Sequence, residues 1–365
     1  MTQFVRLIAL ALLALGISGT TSSNAEVRIA GNIPLTGPIA AYSGKYFLGF
    51  EMGLKDACKK HNVDCSQFKL DAQDNAGKPP QSVSVIQKQM INEPHVAITG
   101  TSAESLAIAP LLDKVGIPHF MVSFDSFLAK RGKDRLRVLP NYKVEAPMYY
   151  RFLSKMKPKK VYSLTLNFSS TNEQFSALIE PWMKKTGIKY GREAYDFGTK
   201  DYNNMVLKAK KYNPDIYLVS GYSFHVYPIM KAMKTYGIDP NKVMVCLDFI
   251  DLLYNETPID DLKGYYYASS EYDIPGKVAG APDFFKRFKA TYGKSPSYVE
   301  AYAYDTAAII VAAQAKHGKV TTETIYKIMP FQGITGMVDL DEDGDIIGTV
   351  TVAHINKDGK VDEVK

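Results

Sequence analysis

Short apolar runs rich in β-branched residues alternate along the chain with stretches in which apolar residues recur every three or four positions. The runs predict strands covered on both faces, and the stretches between them predict amphipathic helices. In the first part of the chain, strands are predicted at 27–33, 68–74, 96–99 and 118–122, and helices at 44–61, from Pro79 onwards and at 102–115. This part is therefore predicted to consist of strand–helix–strand units.

The same alternation restarts after residues 137–140. Strands are predicted at 161–166, 189–197, 216–219, 243–247 and 265–268, and helices at 172–186, 202–211 and 224–236. Repeated strand–helix–strand units imply parallel sheets with helices on both faces. The predicted fold class is therefore α/β, with two doubly wound parallel-sheet lobes.

The last third of the chain breaks this alternation. Helices are predicted at 282–292, 298–316 and 322–329, followed by weak strands at 337–340 and 349–355. A tail of this kind completes domains that began earlier, so we expect the chain to cross between the lobes more than once. Open parallel sheets bind ligands beyond the carboxyl ends of their strands, which places the expected site in the cleft between the lobes.

The first 25 residues predict a signal peptide that is cleaved before Glu26. Arg6 precedes an apolar run at 7–16, and a small-x-small sequence ends at Ala25. The alternative is a membrane anchor, but spanning a bilayer takes about 18 or more apolar residues, and this run is shorter. We therefore expect an exported protein without membrane insertion.

Composition and net charge mainly exclude certain classes of protein. Hydrophobic residues make up 46% of the chain and charged residues 22%, which is typical of a globular protein and excludes wholesale disorder. The formal net charge is +6, but the basic residues are scattered, so no nucleic-acid partner is predicted. We expect a monomer.

The three cysteines fit an oxidising compartment without a disulfide framework. Cys58 and Cys65 are close enough in sequence to form a local disulfide. Cys246 would then be left over, and its apolar neighbours predict a buried thiol. No second cysteine or histidine stands at a metal-ligand spacing from any of the three, so no metal site is predicted.

The chain lacks the common catalytic motifs. It contains no phosphate-binding loop, no H-E-x-x-H, no G-x-S-x-G and no G-x-G-x-x-G, and its six histidines are dispersed. We therefore expect no enzymatic activity, no catalytic residues and no cofactor.

An Asp-rich segment at 339–346 fits the first eight positions of a calcium-binding loop, with Gly344 at the sixth. The twelfth position, which should supply a bidentate Glu, is Val350. Strand-like residues rather than helices flank the segment. A tight Asp/Gly turn is therefore predicted in place of a calcium site.

The predicted helix start at 99–105 is a candidate anion-binding site. Free N–H groups at a helix N-terminus attract carboxylates, and the Ser102 and Ser105 hydroxyls add donors. The same segment also fits a capping box formed by Thr101 and Glu104, which needs no ligand. Both interpretations stay open, because a cap uses only some of the free amides.

Several short motifs occur in a fixed order along the chain. They are PLTGPIAAY at 34–42 followed by Gly49, DAQD at 71–74, AIAPLL at 107–112, GIP at 116–118, PDIYLV at 214–219, YDTAA at 304–308 and the Asp-rich turn at 341–345. None is specific alone. Their order and spacing together resemble the Leu/Ile/Val-binding proteins, type I periplasmic solute-binding proteins of ABC importers, over essentially the whole mature chain.

The resemblance implies two lobes joined by a three-strand hinge that close on a solute. The N-terminal lobe would comprise residues 26–143 plus about 274–329. The C-terminal lobe would comprise residues 144–273 plus about 330–365. The expected partners are a small-molecule ligand, a membrane permease and the ATPase subunits of that transporter.

The resemblance also implies where the ligand is held. Its carboxylate would meet Ser102 and Ala103 after the third strand, with Ser105 nearby, and Phe124, Asp125 and Ser126 after the fourth. Its ammonium group would meet Asp248, which follows the predicted strand at 243–247. Tyr42, Tyr222 and Tyr272 would cover its side chain.

The chain departs from the family's pattern near the expected carboxylate seat. Glu104 and Asp125 stand where small or neutral residues are common, and buried, ionised acids would repel a carboxylate by a few kcal/mol at an effective dielectric near about 20. The expected ligand is a branched-chain amino acid or a related small polar solute. The alternatives are a non-amino-acid ligand (amide, urea-like, aromatic or lipid) and a sensory module of the same fold.

Overall fold

Two α/β lobes make up the described part of the chain. The computed structural model describes residues 26–37, 39–125, 132–255, 257–348 and 350–365, apart from the side chains of Ala41 and Tyr42. The predicted signal peptide lies outside these residues. None of the helices described is long and apolar enough to cross a lipid bilayer.

The strands follow the predicted order closely. They are β1 (Val27–Ile33), β2 (Phe68–Asp74), β3 (Val96–Gly100), β4 (His119–Val122), β5 (Arg135–Leu136), β6 (Lys160–Leu166), β7 (Lys189–Tyr195), β8 (Ile216–Ser220), β9 (Val243–Val245), β10 (Tyr266–Ser270), β11 (Phe331–Gln332), β12 (Met337–Leu340), β13 (Ile346–Ile347), β14 (Val350–Ile355) and β15 (Val361–Glu363). The bounds of β1 and β2 are those predicted. The short strands β5, β11, β13 and β15 had no predicted counterpart.

The helices are interleaved with these strands. They are α1 (Ala40–Ser43), α2 (Tyr46–His61), α3 (Pro79–Met90), α4 (Ser102–Asp113), α5 (Tyr142–Met156), α6 (Ser169–Glu173), α7 (Glu180–Lys185), α8 (Asn203–Tyr212), α9 (Ser223–Thr235), α10 (Phe249–Tyr254), α11 (Ala281–Tyr292), α12 (Tyr298–His317) and α13 (Thr322–Tyr326). A π-helical segment, Gln174–Ile179, joins α6 to α7. The prediction lacked α1, α5 and α10.

The first lobe is built on a parallel sheet. Its strand order is β2-β1-β3-β4-β5, and each neighbouring pair runs parallel. All five residues of β3 are buried, which explains its uninterrupted apolar sequence. The carboxyl ends of β3 and β4 therefore open onto one edge, where the loops that carry Ser102 and Phe124 begin.

The second lobe is built on a larger, mixed sheet with the order β15-β14-β10-β9-β8-β6-β7. The strands from β7 to β10 are parallel, whereas β14 pairs antiparallel with β10 and β15 pairs antiparallel with β14. The α/β class with doubly wound parallel sheets is confirmed, with an antiparallel extension that comes from the C-terminal tail.

The chain crosses between the lobes three times within its described residues. It leaves the first sheet after β5, returns after β10 to form α11 and α12, and enters the second sheet again at β14. Helix α12 packs on α2 of the first lobe so closely that a Cβ on Gly49 would lie 2.1 Å from the Glu300 carbonyl oxygen. Two glycines on α2, Gly49 and Gly53, make this contact possible. The lobe boundaries near 143, 273 and 329 stay a prediction.

The cysteines behave as the sequence suggested. Cys58 and Cys65 form a disulfide with their Cα atoms 5.5 Å apart, linking the end of α2 to the segment before β2. Cys246 is a buried free thiol that follows β9. The thiol donates to the Gly221 carbonyl at 3.1 Å, which joins the loops after β8 and β9 at the cleft.

Candidate ligand-binding cleft

A cavity lies between the lobes, beyond the carboxyl ends of the parallel strands. One part, here called the polar chamber, is lined mainly by the second lobe and includes Glu145, Gln174, Ser220 and Asp248. The adjoining part, here called the apolar chamber, is lined by Ile39, Val122, Phe124, Phe168 and Tyr222, with Ser102 at its edge. Phe124, Phe168 and Tyr222 line both chambers, so the two adjoin each other.

Asp248 lies in the polar chamber, as predicted from its place after β9. Its side chain is 8% exposed. One carboxyl oxygen lies 3.5 Å from the Tyr298 hydroxyl, and the other lies 4.0 Å from the Cys246 sulfur. Burial raises the pKa of Asp248 well above its usual range, and the neighbouring carboxyls of Asp251 and Glu145 raise it further. Burial therefore favours the protonated form of Asp248.

Glu145 is the second carboxyl of the polar chamber, and sequence reasoning missed it. It lies on α5, where Oε1 accepts a hydrogen bond from the Leu247 amide at 2.7 Å and Oε2 accepts one from Gln174 Nε2 at 2.7 Å. Burial raises its pKa despite these bonds. Its contact with Leu247 also fixes the loop that carries Asp248.

Among the described residues, no ion pair reaches Glu145 or Asp248 within 4.0 Å, and neither chamber is lined by a Lys, Arg or His. Buried carboxyls in proteins are normally paired with cations or fully hydrogen-bonded. The polar chamber is therefore complementary to a ligand group that carries positive charge or donates hydrogen bonds.

Aromatic rings form the walls shared by the chambers. The Phe124 ring meets the Tyr298 ring edge-on, with centroids 6.4 Å apart, and Tyr222 stacks on Phe224 at 5.5 Å. Burial raises the pKa of the Tyr222 hydroxyl, and Asp248 and Glu104 raise it further. Tyr222 therefore lies close to acids of both lobes while its ring covers the site.

The expected carboxylate seat at the start of α4 is only partly available. Ser102 Oγ accepts a hydrogen bond from the Asp125 amide at 3.3 Å, which joins the loops after β3 and β4. Ser105 is fully buried, and its hydroxyl donates to the Thr101 carbonyl at 2.7 Å and lies 2.6 Å from Thr99 Oγ1. The side chain of Ala103 is exposed to solvent. Of this set, Ser102 lines the cavity.

The capping-box interpretation of this helix start is wrong. Thr101 has φ +47° and ψ 162°, and its side chain makes no capping hydrogen bond. Glu104 is instead 1% exposed, with Oε2 buried and without a hydrogen-bond partner among the described residues. Burial raises its pKa to about 7, outweighing the hydrogen bond from its own backbone amide.

The other predicted residues divide into three groups. Phe124 lines both chambers, and Asp125 is partly exposed beside it. Tyr272 lies outside both chambers, where its ring packs between Phe285 and Tyr302. Ser126 and the side chain of Tyr42 lie outside the described residues, so their predicted roles stay predictions.

A buried arginine, also missed by sequence reasoning, holds the first-lobe loop in place. Arg137 Nη1 donates to the carbonyls of Ser123, at 3.3 Å, and Asp125. Its Nε donates to Asp345 Oδ1 at 2.9 Å. Arg137 thereby ties the loop after β4 to the Asp-rich turn.

The Asp-rich segment forms the tight turn that the sequence predicted. It connects β12 to β13, with the Asp341 carboxylate accepting from the amides of Asp343 and Asp345 at 3.0 and 2.9 Å. Gly344 takes the positive φ of +83° that this turn requires. No cluster of His, Cys, Asp or Glu in the described ranges has the geometry of a metal site.

The family assignment follows from a match over most of the chain. A family model described as periplasmic binding protein matches residues 26–360. The leucine-, isoleucine-, valine-, threonine- and alanine-binding protein of Pseudomonas aeruginosa is 22% identical over 100% of this chain and 99% of its own length. Leu/Ile/Val-binding protein homolog 7 of Brucella suis is 22% identical over 80% of this chain and 76% of its own length.

Solved structures agree on the fold. The branched-chain amino acid transporter substrate-binding protein LivJ of Streptococcus pneumoniae, in complex with isoleucine, superposes with a TM-score of 0.78 at 21% identity, covering 93% of this chain and 99% of its own. An ABC transporter solute-binding protein of Rhodopseudomonas palustris, in complex with 3,4-dihydroxybenzoic acid, gives 0.79 at 21% identity, covering 93% and 96%. The chain is therefore a type I periplasmic binding protein and belongs to the family of the Leu/Ile/Val-binding proteins.

Proposed function

We propose that this chain is the solute-binding component of an ABC importer and captures a small solute that carries an ammonium group. A branched-chain amino acid is the nominal ligand. The observation that carries the proposal is the polar chamber, where the carboxyls of Asp248 and Glu145 are buried without a cationic partner among the described residues. A ligand ammonium group would provide the missing charge and donate hydrogen bonds to both carboxyls.

Capture works by closure of the hinge. Phe124 comes from the first lobe, whereas Phe168 and Tyr222 come from the second, and all three line the same cavity. A solute contacts all of these walls only when the cleft is shut, so its binding energy favours the closed state. The closed protein then docks on a membrane permease, whose ATPase subunits drive import. Export through the predicted signal peptide places this capture in the periplasm.

A second candidate ligand class is a non-amino-acid solute. The supporting observation is Glu104, whose buried carboxyl lies at the helix start where an amino-acid carboxylate is expected. The bound ligands of the similar structures, isoleucine and an aromatic acid, differ in chemistry. Similarity of fold therefore leaves both ligand classes open.

The proposal is tested by binding and shape measurements on the mature protein. Isothermal titration calorimetry and small-angle X-ray scattering are run against aliphatic and aromatic amino acids, their amides, the corresponding amines and aromatic acids. We expect saturable binding of at least one solute that carries an ammonium group, with a decrease in the radius of gyration. Binding without compaction would overturn hinge closure, and no binding across the panel would overturn solute capture.

A further inference from the structure

We propose that solute capture in this cleft releases a proton: a ligand ammonium group that reaches Asp248 displaces a proton from a cluster of buried carboxyls, and the proton passes to solvent. The cluster consists of Glu145, Asp248 and Asp251 and is here called the acid cluster. This inference rests on the proposed function, since it concerns the uptake of an ammonium solute by the same cleft. Its consequence is that the solute binds more tightly as the pH rises.

The acid cluster lies in the second lobe, and each of its members is at most 8% exposed. Glu145 and Asp248 line the polar chamber, whereas Asp251 follows on α10. Glu145 Oε1 accepts a hydrogen bond from the Leu247 amide at 2.7 Å, and the Asp251 amide donates to the Asp248 carbonyl at 3.2 Å. The backbone at 247–251 therefore connects all three residues.

Hydrogen bonds satisfy Asp248 and Asp251 poorly. The carboxyl oxygens of Asp248 lie 3.5 Å from the Tyr298 hydroxyl and 4.0 Å from the Cys246 sulfur. Asp251 Oδ2 lies 3.5 Å from Ser223 Oγ, and Asp251 Oδ1 is buried without a hydrogen-bond partner among the described residues. Contacts of this length are weak, so they offset little of the cost of burying an ionised carboxyl.

No cation forms an ion pair with the acid cluster in the described part of the chain. Lys45 of the first lobe is near enough to Asp251 to lower the pKa of that carboxyl, and its Nζ contacts Asn255 Oδ1 at 3.4 Å. The other titratable groups around the cluster are a carboxyl, a thiol and phenols: Glu300, Cys246, Tyr149, Tyr195, Tyr222 and Tyr298. None of these groups is positive in either protonation state.

This setting makes the acid cluster retain a proton. Burial raises the pKa of Asp248 well above its ordinary value, and the carboxyls of Asp251 and Glu145 raise it further. Burial also raises the pKa of Glu145, and it raises that of Asp251 to about 7. Carboxyls that interact in this way lose their protons in coupled steps, because each negative charge opposes the next. An ammonium group beside Asp248 reverses the effect, since a close opposite charge favours the ionised form.

The test counts protons during binding. The probe is the tightest binder among leucine, phenylalanine, 3-methylbutylamine and 2-phenylethylamine, whose ammonium groups stay protonated up to pH 8. Calorimetry on the mature protein runs from pH 5 to pH 8 in pairs of buffers with different ionisation enthalpies, and the dependence of the measured enthalpy on the buffer gives the number of protons released. An Asp with the ordinary pKa of 3.8 is ionised throughout this range and releases none.

We expect the release of about half to one proton per solute bound at pH 6. The association constant should rise at least about tenfold between pH 5 and pH 7, because a lower proton concentration favours a binding step that sets a proton free.

The variant Glu145→Gln separates electrostatics from positioning. The amide oxygen of Gln can still accept from the Leu247 amide, but the carboxyl that raises the pKa of Asp248 is gone. Proton release and the rise in affinity should therefore move to lower pH by at least about half a unit. A residue that only positions Leu247 would leave the pH profile unchanged. The control Glu93→Gln makes the same change at a side chain that is 88% exposed, and its profile should equal that of the unmodified protein.

A second variant guards against a failure of the first to fold. Asp251→Asn removes the other carboxyl that raises the pKa of Asp248, so it should shift the profile in the same direction. Circular dichroism and thermal unfolding show which variants are folded. An unshifted profile in the folded variants assigns the proton to other groups and overturns the role of the acid cluster.

The outcomes separate this inference from the proposed function. Binding with the same enthalpy in both buffers and an affinity that is flat with pH overturns the inference and leaves solute capture intact. Binding and compaction only with solutes that lack an ammonium group also overturns it. Failure of every solute in the panel to bind overturns the proposed function, and the inference with it.

Discussion

The two lobes present different chemistry to the cleft they share. The second lobe contributes a polar wall in which Glu145 and Asp248 are buried together, whereas the first lobe contributes mainly apolar side chains such as Ile39 and Phe124. The two lobes thus offer different chemical groups for a solute to contact. Under the proposed function, the second lobe would select the charged end of the solute and the first lobe would close over its apolar body.

The two walls are also supported in different ways. The acids of the second lobe are held on separate elements, α5 and the loop after β9, which the Glu145–Leu247 hydrogen bond at 2.7 Å joins directly. The first-lobe loop with Phe124 has one buried arginine beneath it. Arg137 therefore supports the first wall together with the Ser102–Asp125 hydrogen bond, and its buried ion pair can be removed by one substitution.

The largest expected effect comes from removing this arginine. Arg137→Met should lower the free energy of unfolding by about 3–5 kcal/mol, because it leaves the buried Asp345 carboxylate with only the more distant Lys143, 3.8 Å from Oδ2. Urea denaturation followed by circular dichroism measures the change.

The double variant Arg137→Met with Asp345→Leu is the matched control. It removes both charges together, so most of the lost stability should return. A cost below about 1 kcal/mol for the single variant would show that the ion pair is not what supports the first wall.

Removing the acid of the second wall should mainly affect binding. Asp248→Asn should weaken the binding of an ammonium ligand by roughly 30- to 1,000-fold, corresponding to about 2–4 kcal/mol. Stability should not fall, because a neutral amide replaces a carboxyl for which burial is unfavourable. Calorimetry with the best solute of the panel gives the affinity.

The matched control for this variant is Asp260→Asn, the same change at a side chain of the second lobe that is 79% exposed. Its affinity should equal that of the unmodified protein. Equal losses in the two variants, or no loss in Asp248→Asn, would contradict the assignment of charge selection to the second wall.

The sequence analysis identified only one of the two acids in the wall from the second lobe, Asp248. Asp248 was found because the resemblance implies an acid after a strand of the second lobe, and Asp248 follows the predicted strand at 243–247. Glu145 was missed because its helix, α5, was not predicted. Pro147 interrupts the apolar pattern of that helix, and an acid in such a segment is typical of solvent-exposed positions. A search for acids on the buried face of a helix could have found it.

For the wall from the first lobe, the sequence located the residues but not their conformation. The sequence located the helix start and the acid Glu104 but predicted a cap, because the Thr-x-x-Glu spacing fits one. The positive φ of Thr101 turns its side chain away from that role, and no local pattern encodes this backbone choice. Tyr272 was grouped with the cleft although its ring packs elsewhere. The spacing of residues along the sequence does not reveal positions that depend on tertiary packing, such as those of Thr101 and Tyr272.

The smallest expected effect concerns Glu104, in the first turn of α4, and the pH dependence of its contribution to stability. The pKa of Glu104 is raised to about 7 from an ordinary value of 4.5. The stability that this protonated group contributes is therefore fully present below about pH 4.5 and is lost as the pH rises to about 7. Each proton released on this rise lowers the free energy of unfolding by at most about 1.4 kcal/mol per pH unit.

Comparison with Glu104→Gln isolates this contribution, because Asp251, with a pKa raised to about 7, titrates in the same range in both proteins. Without ligand, the unmodified protein should lose more stability than the variant between pH 5 and pH 7, by about 1 kcal/mol or more. Thermal unfolding at half-unit steps of pH measures the difference. Parallel pH profiles would mean that Glu104 is ionised at no cost in the folded protein.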